Sequence, residues 1–471
     1  MNVSSSSLKF GTSGLRGLAV ELEGQAARGY VAAFLRHVAA PGAGGDRVFI
    51  GRDFRRSSPA IVRDCAAAVA AGGLVPVDCG ALPTPALALH AMAAGCPSVM
   101  VTGSHIPADR NGLKFYLPVG EISKADEAGI VAALSHAAVA DLARPMVDEA
   151  ALATERYVQR FAPLLPPDAL RGLRVGVFEH SSVARDLLGR VLALFGAEVV
   201  SLGRQDAFVA VDTEAFGDPV FAPLPGWLHE HQLDALVSAD GDGDRPLLMD
   251  SQGNFVRGDV LGLLAAQYLG AETVVTPVTS NSAIERTGFF GEVVRTKVGS
   301  PFVVEAMERA RGAVVGFEAN GGTFVGGGVV VAGQPVAPLA TRDAVLPILC
   351  ALGLAAEQGR RVHEIVAHLP LQHALADRLQ DVPGERSGAF LKRLAEDQPF
   401  AAELFAPHGI SGLSTIDGLQ FRTAAGDMVH FRASGNAPEL RCYVEGSTPE
   451  LAAELLDWGM RVAAEQVVVE R

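Results

Sequence analysis

The order strand, helix, strand, with short connections between them, recurs three times in this chain and limits its folds more than any other feature. Residues 47–50 (RVFI) form a short β-branched and aromatic run that predicts a buried strand. Gly51-Arg52-Asp53 ends it, and Ser58-Pro59 opens a helix, the serine as cap and the proline at the first helical position. That Ala-rich helix over 61–71 stops at Gly72-Gly73, and 74–77 supplies a second strand. A second copy reads strand 173–178 (LRVGVF), helix 183–195, Gly196 and strand 198–202. A third reads strand 273–278, a short helix near 282–287 and strand 292–295. Such passages imply parallel pairing with right-handed crossovers. Three of them within 1–365 predict three related α/β domains.

The pattern changes from about 371. A polar stretch runs through 398, and the short alternating runs 418–422, 428–432 and 440–445 predict an antiparallel sheet closed by a helix over 449–465. The expectation is an α/β fold: three related α/β domains with mixed sheets at 1–148, 149–251 and 252–368, then a C-terminal α+β domain at 369–471. Residues 4–7 are expected to be a loose tail.

Composition sets outer limits. With 471 residues, 49% apolar and 20% charged, the chain buries ample core, which rules out disorder of the whole. A net charge of −14 argues against nucleic acid as a partner, and an anionic substrate would require Arg and Lys gathered in one cleft. The five cysteines are scattered without a CxxC pair, which predicts reduced core thiols. Residues 1–9 are polar, so no signal peptide is expected. The longest uncharged apolar stretch, near 344–356, falls short of the ~20 residues of a membrane helix. The expectation is a soluble, cytoplasmic protein with no membrane partner.

Five segments carry more chemistry than a turn requires. In 101–116 (VTGSHIPADRNGLKFY), Ser104 follows a strand and a glycine, with His105, Pro107, Gly112 and Lys114 nearby. Gly103 and Pro107 predict a tight, exposed loop that presents the Ser104 hydroxyl. A hydroxyl nucleophile needs a base or a metal beside it. The segment is not a G-x-S-x-G elbow, so a hydrolase reading lacks its motif.

Asp240-Gly241-Asp242-Gly243-Asp244-Arg245 follows the apolar run at 235–237. Carboxylates at alternate positions converge, and three cannot all stay ionised together without a cation, for which Mg²⁺ is the natural guest. An EF-hand is excluded, because position six is Arg245 and position twelve is Ser251.

In 316–322 (GFEANGG), Glu318 and Asn320 are placed to hydrogen-bond vicinal sugar hydroxyls. In 431–445 (FRASGNAPELRCYVE), Arg432, the Ser434 hydroxyl, the amides of Gly435 and Asn436, and Arg441 suggest a phosphate cradle. In 10–17 (FGTSGLRG), a Gly-rich loop offers Arg16. Lys297 is a further candidate for substrate binding.

The order FGTSGLRG, TGSHIPADRNGLKFY, DGDGDR, GFEANGG, RASGNAPELR resembles the α-D-phosphohexomutases, most closely the bacterial phosphomannomutases, over nearly the whole chain. The resemblance implies four domains around a central cleft. It implies that Ser104 is a phosphoserine, and that Asp240, Asp242 and Asp244 hold Mg²⁺ together with its phosphate. Lys114 would be the general acid/base, with Arg16 and His105 contributing and Arg245 beside the site. Glu318 and Asn320 would form the sugar loop, and Arg432, Ser434, Gly435 and Asn436 the distal phosphate loop. The chain departs from the family pattern at Ile106, where an asparagine is usual, and at Gly322, where the sugar loop usually has histidine. It departs again at Ala437, where the phosphate loop usually has glutamate, and at Ser181-Ser182.

The implied reaction interconverts hexose 6-phosphate and hexose 1-phosphate through a hexose 1,6-bisphosphate, which also serves as activator. Mannose phosphate leads, with phosphoglucomutase or dual specificity as the alternative and glucosamine phosphate behind. Lys114 would need its pKa drawn down from the free value of ~10.4, by Arg16 and the metal. A hinge near 366–372 would let the C-terminal domain close. Two other readings compete: a phosphatase with Asp240 as nucleophile, and a non-catalytic sugar-phosphate sensor.

Overall fold

The computed structural model of the chain describes residues 6–11, 14–38, 45–135, 138–142, 144–434 and 438–467. They divide into two units, one within Met1–Val275 and Gly299–His368, the other within Thr276–Val298 and Leu369–Arg471.

The first unit is built on mixed sheets. In one, strand Arg47–Arg52 lies between the parallel strands Val75–Ala81 and Ser98–Val101. Strand Arg110–Leu117 runs antiparallel beside Ser98–Val101 and carries Leu15–Leu18 on its other edge. Val48, Phe49, Ile50, Val99, Met100 and Val101 are all buried, as a central strand covered on both faces requires. Helix Ser58–Ala71 makes the crossover from Arg47–Arg52 to Val75–Ala81. Ser58 does not cap it as expected, because its hydroxyl donates to Asp53 Oδ1 at 2.6 Å.

A second sheet sets Arg174–Phe178 parallel to both Glu198–Leu202 and Ala235–Ala239, with Pro246–Asp250 antiparallel at the end. In a third, Thr273–Pro277 pairs in parallel with Val314–Phe317, and Thr323–Val325 and Leu339–Asp343 follow antiparallel. The expected tail is partly tied down: Ser7 donates from N and Oγ to Glu21 Oε2 at 2.7 and 2.8 Å, while residues 4 and 5 lie outside the described set.

The second unit holds an antiparallel sheet in the order His373–Leu379, Leu440–Gly446, Met428–Ala433, Leu419–Arg422, Gly412–Ser414. One face is apolar, with Val429, Phe431, Cys442 and Val444 packed among Phe390, Leu394, Leu455 and Trp458 of helices Gly384–Glu396 and Pro449–Val467. The first strand and helix Gly384–Glu396 fall within the stretch that reads as polar in sequence. All five cysteines are buried and unpaired. Among the described residues, no helix is long and apolar enough to cross a membrane.

Candidate active site

Ser104, Asp240 and Glu318 all leave the carboxyl ends of parallel strands: Ser98–Val101, Ala235–Ala239 and Val314–Phe317. That is where open α/β sheets place ligands, since the loops there leave the pleated ladder free to aim side chains.

The Ser104 loop is buried rather than exposed: Ser104 is 1% exposed and takes a left-handed φ of +54°. A non-glycine residue there is strained and persists only where its surroundings hold it. The holder is Arg55, which the sequence reading missed. Its guanidinium donates to the carbonyl oxygens of Ser104, Ile106, Pro107 and Arg110 at 2.6–3.0 Å, and through Nε to Asp53 Oδ2 at 3.1 Å. Asp53 in turn accepts from Thr102 Oγ1 at 2.8 Å, and Thr102 Oγ1 accepts from the Ser104 amide. A Cβ on Gly103 would lie 2.7 Å from the Arg55 Cζ, so glycine is what lets the loop close on the guanidinium.

Beside this loop, the Ser104 hydroxyl donates to Asp240 Oδ2 at 2.6 Å. Asp240, Asp242 and Asp244 are buried, each offering a ligand atom within 4.8 Å of the others. Asp242 Oδ1 and Asp244 Oδ1 have no hydrogen-bond partner among the described residues. Burial, then repulsion from Asp242 and Asp244, pushes the Asp240 carboxyl well above its usual pKa. Three buried carboxylates with two orphaned oxygens fit a hard divalent cation.

Lys114 Nζ donates to Asp242 Oδ2 and Asp244 Oδ2, both at 2.6 Å. Burial alone lowers its pKa, but the two carboxylates, as its partners, outweigh burial and the net shift is upward. Met100 opposite Lys114 in the ladder fixes the lysine in register beside the serine-bearing strand.

Other cations gather here. Arg245 approaches Glu214 at 3.7 Å and Asp212 and Asp244 at 4.0 Å, and its buried Nε has no hydrogen-bond partner among the described residues. Burial and then Arg245 lower the Arg16 pKa to about 10. His105 Nδ1 lies 3.3 Å from Ser104 Oγ, and Arg245, burial and Arg16 hold its imidazole neutral. These arginines therefore lie beside the aspartate cluster, so the site mixes both signs of charge at close range.

Glu318 and Asn320 are buried, and Asn320 Oδ1 accepts from the Gly322 amide at 3.0 Å. A second missed residue, Arg342, links Glu318 to Asp244. Its trace in the sequence is the charged pair Arg342-Asp343 directly before the apolar run 344–349, just as Asp53 and Arg55 follow a buried strand.

The remaining candidates belong to the second unit. Arg432 Nε donates to Asp417 Oδ2 at 2.6 Å, and the Ser434 amide to Glu439 O at 2.9 Å. Arg441 sits opposite Arg432 in the ladder, and Arg378 opposite Arg441. Lys297 is exposed, and Gly435 and Asn436 lie outside the described residues.

Sequence comparison matches residues 7–139 to the phosphoglucomutase/phosphomannomutase α/β/α domain I and residues 257–372 to domain III of the same family. A phosphomannomutase of Sinorhizobium fredii is 48% identical over 98% of this chain and 99% of its own length. A phosphomannomutase of Salmonella muenchen is 39% identical over 97% and 95%. Among solved structures, a phosphoglucomutase/phosphomannomutase family protein from Burkholderia thailandensis superposes with a TM-score of 0.78 at 22% identity, covering 97% of each chain. That last likeness concerns the fold.

Proposed function

We propose, because the chain belongs to the phosphoglucomutase/phosphomannomutase family, that it interconverts mannose 6-phosphate and mannose 1-phosphate by way of mannose 1,6-bisphosphate. The observation that carries this reading is the 2.6 Å contact of the Ser104 hydroxyl with Asp240, inside a buried cluster of three aspartates. In this reading the segments 1–148, 149–251, 252–368 and 369–471 contribute in turn the phosphoserine, metal, sugar and phosphate-binding loops.

Ser104 stores a phosphoryl group. In one half-reaction the phosphorus–Oγ bond breaks as a sugar hydroxyl oxygen bonds to phosphorus; the hydroxyl gives up its proton and Oγ regains one. The other half returns the second phosphate to Ser104. Asp240, Asp242 and Asp244 would hold Mg²⁺, which would supply charge neutralisation for the transferring group. Arg245 and Arg16 add fixed positive charge there, which stabilises spreading negative charge without reorganisation. Lys114 carries the proton. Held as an ammonium by two carboxylates, it enters as the acid, and its turn as base requires it to part from them. Neutral His105 accepts or donates a hydrogen bond beside Oγ. Glu318 and Asn320 read ring hydroxyls, while Lys297, Arg432, Ser434, Gly435, Asn436 and Arg441 bind the non-reacting phosphate. A trace of hexose 1,6-bisphosphate rephosphorylates enzyme that has lost its group. The five buried thiols fit a cytoplasmic setting.

The test is catalytic efficiency on mannose 1-phosphate and glucose 1-phosphate, with bisphosphate present, in the wild type and in Ser104→Ala. The expected result is preference for mannose and a loss of at least ~10³-fold in the variant, the scale of removing a nucleophile. Equal rates on both sugars make the enzyme dual-specific and defeat the mannose assignment. Undiminished phosphate release by Ser104→Ala, abolished by Asp240→Asn, would point to a phosphatase instead.

A further inference from the structure

Arg342 has no part in the reaction described above, yet its guanidinium joins buried side chains of several segments of the first unit. It lies on strand Leu339–Asp343 with its side chain 3% exposed. Nη1 donates to Glu318 Oε2 at 2.6 Å and to Ser300 Oγ at 2.7 Å, while Nη2 and Nε donate to Asp244 Oδ2 at 2.7 and 3.2 Å. One planar guanidinium therefore spans the sugar-loop carboxylate and an aspartate of the triad. A lysine offers a single point charge and cannot hold both with fixed geometry.

Two details show that the loop is built around this arginine. A Cβ on Gly322 would lie 2.5 Å from Arg342 Cδ and 2.7 Å from Cγ, so 318–322 closes over the arginine stem only with glycine there. Both hydrogen bonds that described residues make to the Glu318 carboxylate fall on Oε2, and Oε1 takes none. A carboxylate oxygen has two acceptor positions, so Oε1 can receive hydroxyl hydrogens from a ligand.

We propose that Arg342 is a specificity-determining positioning residue: by gripping Glu318 Oε2 and Asp244 Oδ2 together, it sets Glu318 Oε1 at a fixed place relative to the aspartate triad, where it accepts from ring hydroxyls of the hexose. This rests on Glu318 as the sugar reader. Because Arg342 acts through Glu318, its loss blurs discrimination between sugars rather than abolishing phosphate affinity. In a pair that acts as one unit, the two substitutions are non-additive.

The test is calorimetric binding of mannose 1-phosphate and its monodeoxy analogues to dephosphorylated protein with Mg²⁺, with thermal melting as a check on folding. In the wild type, removing a hydroxyl read by Glu318 weakens binding at least tenfold, the cost of leaving a buried acceptor unpaired. Arg342→Lys narrows that penalty below threefold, and combining it with Glu318→Gln adds nothing to Glu318→Gln alone. Gly322→Ala displaces the stem while keeping every charge; it narrows the penalty in the same direction and carries the test if Arg342→Lys does not fold. Unchanged discrimination in the folded variants overturns this proposal and leaves the mutase reading standing. A wild-type protein that does not bind mannose 1-phosphate overturns both.

Discussion

Ser104, the proposed nucleophile, is held in place by an arginine that touches its backbone and leaves its hydroxyl alone. A left-handed serine costs on the order of 1–3 kcal/mol, and the four carbonyl oxygens gathered by Arg55 hold it in that state. Arg55 and Asp53 are buried as an ion pair, with the guanidinium 4.0 Å from the Phe208 ring. Arg55→Met removes the cation and leaves the Asp53 carboxylate unpaired, so stability should fall by about 3–5 kcal/mol in urea denaturation. A variant that unfolds at the wild-type midpoint would show that the loop does not depend on this pair. Ser104, Lys114 and the aspartates are legible in sequence because reactive side chains stand among glycines at fixed spacing. Arg55 and Arg342 leave only a faint trace, a charge beside a buried run, because an arginine in a single sequence reads as surface and only packing shows what surrounds its guanidinium.

Among the elements, the buried parallel strands are legible as short apolar runs with glycine stops, because burial on both faces leaves no room for polar residues. Strand His373–Leu379 and helix Gly384–Glu396 escape notice for the opposite reason. The strand is mostly exposed, and the helix buries only a narrow stripe through Phe390 and Leu394. The same sheet sets Arg378, Arg441 and Arg432 in one cross-strand row, with Glu439 and Asp417 as the paired carboxylates. Like charges directly opposite destabilise a sheet by a few tenths to ~1 kcal/mol, a cost that the proposed phosphate binding would offset. Arg441→Leu should raise the urea midpoint and at the same time raise KM for the sugar phosphate. A raised KM with a lowered midpoint would mean the row is structural.

At the scale of the whole molecule, each unit buries a histidine in its neutral form. His180 is brought down to about 4 by burial, with Nε2 donating to the Ala239 carbonyl at 2.8 Å. His430 is lowered by burial too, with Nε2 donating to Asp417 O at 2.6 Å. The folded pKa lies below the unfolded value of ~6.5, so the unfolded chain binds more protons in between. Stability from these residues is complete above pH 6.5 and declines as pH falls toward 4. Glu121 and Asp343, raised by burial, act in the other direction, so the effect is read as a difference between proteins. From pH 7.5 to 5 the wild type should lose about 2 kcal/mol relative to His180→Gln. Parallel pH profiles for the two would remove His180 as the source.

The chain by itself determined the α/β class, the recurring strand order, and which serine, lysine and aspartates are candidates for the chemistry, since periodicity and rare reactive spacings are local properties. Tertiary structure decided that Ser104 is buried, that Lys114 is held charged, and that Arg55 and Arg342 organise the loops around them. Those outcomes depend on desolvation and on partners dozens to more than a hundred residues apart in sequence, and no local pattern encodes either.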